Sequence, residues 1–83
     1  MTEVLDLGED ELKAKIAEIL KISVEELNSG SEIGTTRGWD SFAHVELLLF
    51  LEEVFHIAMS EESLSYYSNL KNILTLAKKT EIE

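Results

Sequence analysis

The chain has 83 residues, of which 17 are Asp or Glu and 7 are Lys or Arg, and its formal net charge is −10. This length holds one domain, and the excess of acid disfavours nucleic acid and anionic membrane surfaces, which attract Lys and Arg. Because the chain has no cysteine, it forms no disulfide and offers no thiolate metal site and no thiol nucleophile of its own.

The sequence lacks the features of a targeting or membrane segment. Residues 1–11 carry five acids and no base, whereas a secretory signal begins with a basic stretch. The longest unbroken apolar run, 47–51, is far too short to cross a bilayer. We therefore expect a cytoplasmic, monomeric protein that binds neither membranes nor nucleic acid, and whose acidity favours basic protein partners.

The first predicted element is a helix over about 8–21. Its apolar residues recur at helical spacing on one face, at Leu12, Ile16, Ile19 and Leu20. Asp6 followed three residues later by Glu9 has the form of an N-terminal capping pair. Ser23 and Glu26 form a second such pair, which predicts a short turn of helix.

A long loop is expected over residues 28–40, NSGSEIGTTRGWD, which contains three of the four glycines. The second helix begins near Asp40 or Ser41 and runs to about Phe55. On a wheel of about 100° per residue, its core stripe contains Leu47, Leu48, Leu51, Val54 and Phe55. Its opposite side, which we call the outer face, contains Phe42, Val45, Glu46, Leu49, Glu52 and Glu53.

Ser60, which two acids follow, is a good N-cap for a short third helix that the segment 65–68 interrupts. Ser68 is expected to cap a last helix that runs to about Lys79. The inner stripe of that helix contains Leu70, Ile73, Leu74 and Ala77. The expected fold is all-α: a small four-helix bundle of three longer helices and one short helix, with the long loop between the first and second, in a single domain over residues 1–83.

The outer face of the second helix mixes three apolar side chains with three carboxylates. A solvated face should be mostly polar and an inner face should carry no charge, so the mixture favours docking of a basic partner. From Gly38 to Leu70 the chain has six acids and no Lys or Arg, which concentrates negative charge there. The alternative is that Phe42 packs beneath the long loop and that Val45 and Leu49 are scattered surface residues.

The second helix follows a glycine loop and begins with Asp40 and Ser41, a pattern that suits either simple capping or a phosphate near the helix N-terminus. The longer string GWDSFAHVELLLFLEEVF is more specific. It resembles the acyl carrier proteins, whose attachment motif is Asp-Ser-Leu followed by Val-Glu-Leu and Leu-Glu-Glu-x-Phe. Residues 40–42, 45–47 and 51–55 carry the likeness, and the helix pattern extends it over most of the chain.

The resemblance implies that Ser41 carries 4′-phosphopantetheine through a phosphodiester, installed from coenzyme A by a phosphopantetheinyl transferase that holds Mg²⁺. The thiol of that arm would hold acyl groups as thioesters for enzymes of fatty acid, polyketide or related biosynthesis. The chain itself would be a carrier without catalytic activity. The residues implied to engage basic patches on acyl-loading and acyl-transfer enzymes are Asp40, Phe42, Val45, Glu46, Leu49, Glu52 and Glu53.

Two departures from the family pattern lie beside the attachment motif. Phe42 replaces the usual Leu, and Trp39 precedes Asp40, as in many free-standing carriers of specialised pathways. The cargo stays open between acyl groups and the aminoacyl or peptidyl groups of related carriers. A helical protein-interaction domain without a prosthetic group is the other alternative, because it explains the mixed outer face equally well.

Ser41, His44 and Glu46 also suggest a hydrolase, but the chain has no Gly-x-Ser-x-Gly elbow and is too short for a closed pocket. We predict instead that His44 lies toward the core or the loop, and that Trp39 anchors the loop to the helices. Arg37 is interpreted as a surface charge without a role. The two histidines are twelve residues apart with no nearby third ligand, so no metal site is expected.

Overall fold

A computed structural model describes residues 8–77 of the chain. Within that range the structure is helical and contains no strand, so the all-α prediction is confirmed for this part of the chain. No helix in it is long and apolar enough to cross a membrane. The elements are α1 (Glu9–Leu20), a 3₁₀ turn (Val24–Glu26), α2 (Ser41–Phe55), α3 (Glu61–Tyr66) and α4 (Leu70–Leu74).

Helix α1 begins at a different cap from the predicted one. Gly8 is the N-cap, and its N–H donates to the side chain of Glu11 at 3.1 Å. Glu9 is therefore the first residue of the helix. Its predicted capping partner, Asp6, lies outside the described residues. The helix ends as predicted near Lys21, which adopts a left-handed conformation with φ of 62°.

The caps of the 3₁₀ turn and of α3 are those that the sequence predicts. Ser23 precedes the turn, and its N–H donates to the Glu26 carboxylate at 3.0 Å. Ser60 precedes α3, and its hydroxyl accepts a hydrogen bond from the N–H of Ser63 at 3.1 Å. Both are local signals, because the cap and its partner are three residues apart.

The prediction for the last helix is wrong at its start and in its length. Asn69 is the N-cap, since its side chain accepts a hydrogen bond from Asn72 N–H at 2.9 Å. Ser68 is held instead by the long loop, because its carbonyl accepts from Ile33 N–H at 2.9 Å, and this pairing delays the helix by one residue. α4 ends at Leu74, and Lys79 lies outside the described residues. The described helices are therefore two longer and two short, where the sequence predicts three and one.

The apolar stripes of the helices meet in one core. α1 packs against α2 and α4, and α2 also packs against α3. The predicted stripes are buried, with half-buried positions at their edges in Ile19, Val54, Phe55 and Leu74. The largest side chains that are fully buried are those of Trp39, Leu12, Ile16, Leu47, Leu48, Leu51, Leu70 and Ile73.

The end of the long loop lies directly against the C-terminal end of α1. Gly38 has a φ of +82°, and a Cβ atom placed on it would stand 2.4 Å from the backbone oxygen of Leu20. Only glycine has both the left-handed freedom and the missing side chain that this contact requires. Gly34 in the same loop also has a positive φ, +90°, but a Cβ atom placed on it would have open space for 4 Å around it.

We expect Gly38→Ala to destabilise the fold more than Gly34→Ala. Both substitutions place an alanine in the left-handed region, which costs about 1–2 kcal/mol. At Gly38 the added methyl group must also displace the backbone of α1, so its loss of unfolding free energy should exceed that of Gly34→Ala. Urea unfolding followed by Trp39 fluorescence measures both, and equal losses would show that the loop does not depend on this close contact.

Candidate functional site

The candidate site begins where the long loop becomes α2. Asp40 is the N-cap, and its carboxylate accepts a hydrogen bond from Ala43 N–H at 2.9 Å. Ser41 is the first residue of the helix and is exposed. Its hydroxyl makes no hydrogen bond to any of residues 8–77. Because Asp40 performs the capping, the Ser41 hydroxyl takes no part in it.

The first two N–H groups of α2 also have no acceptor within residues 8–77. Ala43 N–H is bound by the Asp40 side chain, and His44 N–H donates to the Asp40 carbonyl at 2.9 Å. Ser41 and Phe42 N–H stand before these two and point along the helix axis, where the helix dipole is positive. An oxygen anion bound to the Ser41 hydroxyl would fit this end of the helix.

Trp39 anchors the loop, as the sequence predicts. Its side chain is 1% exposed, and its indole N–H donates to Nδ1 of His44 at 3.1 Å. The Nε2 atom of His44 lies 2.8 Å from the carbonyl oxygen of Leu64 in α3. An indole N–H can only donate and a carbonyl can only accept, so the network assigns His44 as the neutral tautomer with its proton on Nε2.

This network excludes the hydrolase arrangement of Ser41, His44 and Glu46. Both ring nitrogens of His44 are occupied, one by Trp39 and the other by the Leu64 carbonyl. A general base must reach the proton that it abstracts, and neither nitrogen is directed to the Ser41 hydroxyl. His44 is 5% exposed, so the prediction that it faces the core and the loop is confirmed.

The outer face of α2 is open to solvent. Phe42 is 75% exposed, so the alternative in which it packs beneath the long loop is wrong. Val45 and Leu49 are 43% and 51% exposed, and Glu46, Glu52 and Glu53 are exposed as well. Three apolar side chains within two turns of one helix form a contiguous patch, and acids border it.

An open groove of about 490 Å³ runs between this face and the end of α1. Ser41 does not line it. The sequence does not predict the contribution of α1, because which faces of two helices stand side by side depends on their packing and not on either helix alone. The residues that line the groove are Glu18, Ile19, Lys21, Glu46, Leu49, Phe50 and Glu53.

Arg37 lies at the surface and forms an ion pair with Glu26 that the sequence does not predict. Its guanidinium donates two hydrogen bonds to the Glu26 carboxylate, at 2.9 Å from Nε and 2.5 Å from the terminal nitrogen. These bonds, together with the one from Ser23 N–H, hold the pKa of Glu26 below its usual value, and the carboxylate in turn raises the pKa of Arg37. The pair ties the loop before Ser41 to the 3₁₀ turn, so Arg37 is engaged away from the hydroxyl.

No protein-family model matches the chain, and no curated protein matches it. Among residues 8–77, no group of three or more His, Cys, Asp or Glu side chains is placed to hold a metal ion. Function must therefore be inferred from the residues of the site itself.

We expect Asp40→Ala to lower the free energy of unfolding by about 1 kcal/mol, because Ala43 N–H loses its cap. Asp40→Asn should retain most of the stability, since an amide oxygen also accepts this hydrogen bond. Ser41→Ala should leave the stability nearly unchanged, because the Ser41 hydroxyl holds nothing in place. Chemical unfolding of the three variants measures these free energies. A loss of unfolding free energy at Ser41→Ala as large as that at Asp40→Ala would contradict the assignment of Asp40 as the cap.

Proposed function

We propose that the protein is a carrier that holds acyl groups as thioesters on a 4′-phosphopantetheine arm attached to Ser41. The observation that carries the proposal is the free, exposed hydroxyl of Ser41 on the first residue of α2. Ser41 lies where the loop anchored by Trp39 meets α2, next to the exposed outer face of that helix. Together with the resemblance of residues 38–55 to the acyl carrier attachment motif, this placement favours a reactive serine over an ordinary capping serine.

The residues around Ser41 suit a phosphodiester. When attached, the arm supplies a thiol to a chain that has none. The Ser41 oxygen would lose its proton and form a bond to the phosphorus that carries the pantetheine, while the pyrophosphate bond of coenzyme A breaks and adenosine 3′,5′-bisphosphate leaves. The free N–H groups of Ser41 and Phe42 would face the phosphate charge. Asp40 keeps its carboxylate on Ala43 N–H, which leaves the hydroxyl side of the helix end accessible.

The outer face would serve as the docking surface for the enzymes that load and unload the arm. These are a phosphopantetheinyl transferase and acyl-loading and acyl-transfer enzymes with basic patches. Phe42, Val45 and Leu49 would supply the apolar centre, since they are already exposed in the free protein. The surrounding carboxylates would steer a basic partner and set its orientation more than its affinity.

The same proposal covers the arrangement of the helices, the localisation and the oligomeric state. The four helices would form a carrier-type bundle, and the protein would act as a cytoplasmic monomer without an activity of its own. The cargo class stays open between acyl and aminoacyl or peptidyl groups. A helical interaction domain that never carries an arm is the second candidate, and the exposed patch of Phe42, Val45 and Leu49 favours it as much as the carrier.

The two candidates make opposite predictions for mass spectrometry. On incubation with coenzyme A, Mg²⁺ and a promiscuous phosphopantetheinyl transferase, the wild-type chain should gain one phosphopantetheine. Ser41→Ala should gain none, because the hydroxyl that forms the phosphodiester is gone. Ser65→Ala, which removes an exposed hydroxyl from α3, is the matched control and should be modified like the wild type. An unchanged wild-type mass with several transferases would leave the interaction domain as the better description.

Docking should depend on the charge of the outer face. Glu46→Lys and Glu52→Lys should each weaken binding to the transferase by about tenfold, since each reverses a charge opposite a basic surface. Binding of the wild type should also weaken as salt rises. Glu32→Lys makes the same charge change in the long loop and should have little effect. Calorimetric titration at two salt concentrations tests this, and equal effects at all three positions would argue against a defined docking face.

A further inference from the structure

His44 makes three hydrogen bonds that converge on the segment before Ser41 and on α3. Its backbone N–H donates to the carbonyl of Asp40 at 2.9 Å. Its Nδ1 accepts from the indole of Trp39 at 3.1 Å, and its Nε2 donates to the carbonyl of Leu64 at 2.8 Å. Two of the three therefore hold the residues that directly precede Ser41, and the third holds α3.

The contact with Trp39 determines more of the structure near Ser41 than the contact with Leu64. Trp39 is fully enclosed, and Gly38 before it is pressed against the end of α1, so the chain enters α2 along one path. The bond to Nδ1 fixes the indole within that path. Leu64 lies on α3, which follows the C-terminal end of α2 in the chain, so the bond to its carbonyl does not act directly on the segment before Ser41.

We propose that His44 is a positioning residue for Ser41, and that it acts through the hydrogen bond from Trp39 to its Nδ1 atom. The bond to Leu64 holds α3 and has a separate role. A partner that binds the outer face would then meet a Ser41 hydroxyl that is already ordered. Binding would not have to supply the free energy for ordering it. The rate part of this inference depends on the proposed carrier function, and its structural part does not.

Two substitutions separate the hydrogen bond that His44 accepts from Trp39 from the one that it donates to Leu64. The side-chain oxygen of asparagine lies at the same number of bonds from the backbone as Nδ1, so His44→Asn keeps an acceptor for Trp39 and loses the bond to Leu64. The side-chain nitrogen of glutamine corresponds to Nε2, so His44→Gln keeps a donor for Leu64 and loses the acceptor for the indole. The two variants are otherwise similar in polarity, and each serves as the control for the other.

The first measurement is the rate of phosphopantetheine transfer, at a temperature where circular dichroism shows each variant folded. With His44→Gln as the substrate, the kcat of the transferase should fall about tenfold and its KM for the carrier should stay unchanged. The reason is that the Ser41 hydroxyl is misplaced while the outer face is intact. His44→Asn should keep kcat within about twofold of the wild type. A general loss of structure would instead affect both variants together.

Trp39→Phe tests the same bond from its other end. It should lower kcat like His44→Gln, and the double substitution should lower kcat no further than either single one, because all three remove one hydrogen bond. Trp39→Phe also decides the matter if His44→Gln does not fold. Wild-type kcat in Trp39→Phe, equal loss in the Asn and Gln variants, or additive losses in the double variant would each overturn the proposal.

Nuclear magnetic resonance separates this inference from the carrier function. The nitrogen spectrum of the wild type should show His44 protonated on Nε2, and the amide resonances of Ser41 and Phe42 should shift in His44→Gln but not in His44→Asn. If no transferase modifies the wild-type protein, the carrier proposal fails, and these amide shifts still decide the role of His44. Shifts of equal size in both variants would overturn it.

Discussion

The enclosure of Trp39 is the constraint on which the rest of the molecule depends. An indole supplies a large apolar body to a small core, but its N–H must find an acceptor when it is buried. His44 provides that acceptor from the first turn of α2 and passes a hydrogen bond to α3. Gly38 completes the arrangement, because its missing side chain lets the loop lie against α1. Trp39, His44 and Gly38 together thus join the long loop to three helices in a chain that has no disulfide.

Burial of Trp39 also determines where the residues of the candidate site lie. Once Trp39 is turned inward, Asp40 is the next residue able to cap α2, and Ser41 is left at the helix start with a free hydroxyl. The same helix buries Leu47 and its neighbours and exposes Phe42 on the other side. Core packing, capping and the orientation of the exposed face are therefore parts of one arrangement, in which the Ser41 hydroxyl adjoins the exposed face of α2.

The sequence predicts helix starts well where the signal is local and less well where distant residues compete. The caps at Ser23 and Ser60 depend on partners three residues away and lie where the sequence predicts them, and Asp40 is one of the two caps that the sequence offers for α2. The predicted cap at Ser68 is wrong because a segment of the long loop pairs with its carbonyl, so that Asn69 caps α4 instead. Arg37 lies at the surface as predicted, but the sequence does not predict its ion pair for a similar reason, since its partner Glu26 is eleven residues away in sequence.

The sequence by itself determined the helical class, the stripes that form the core, the acidic charge and the position of Ser41 at a helix start. These follow from helical periodicity and from capping, which involve neighbours along the chain. Only the tertiary structure decided that Phe42 is exposed, that both nitrogens of His44 are occupied, and that α1 and α2 share a groove. These depend on how elements distant in sequence pack together, and packing is set by the shapes of all the side chains at once.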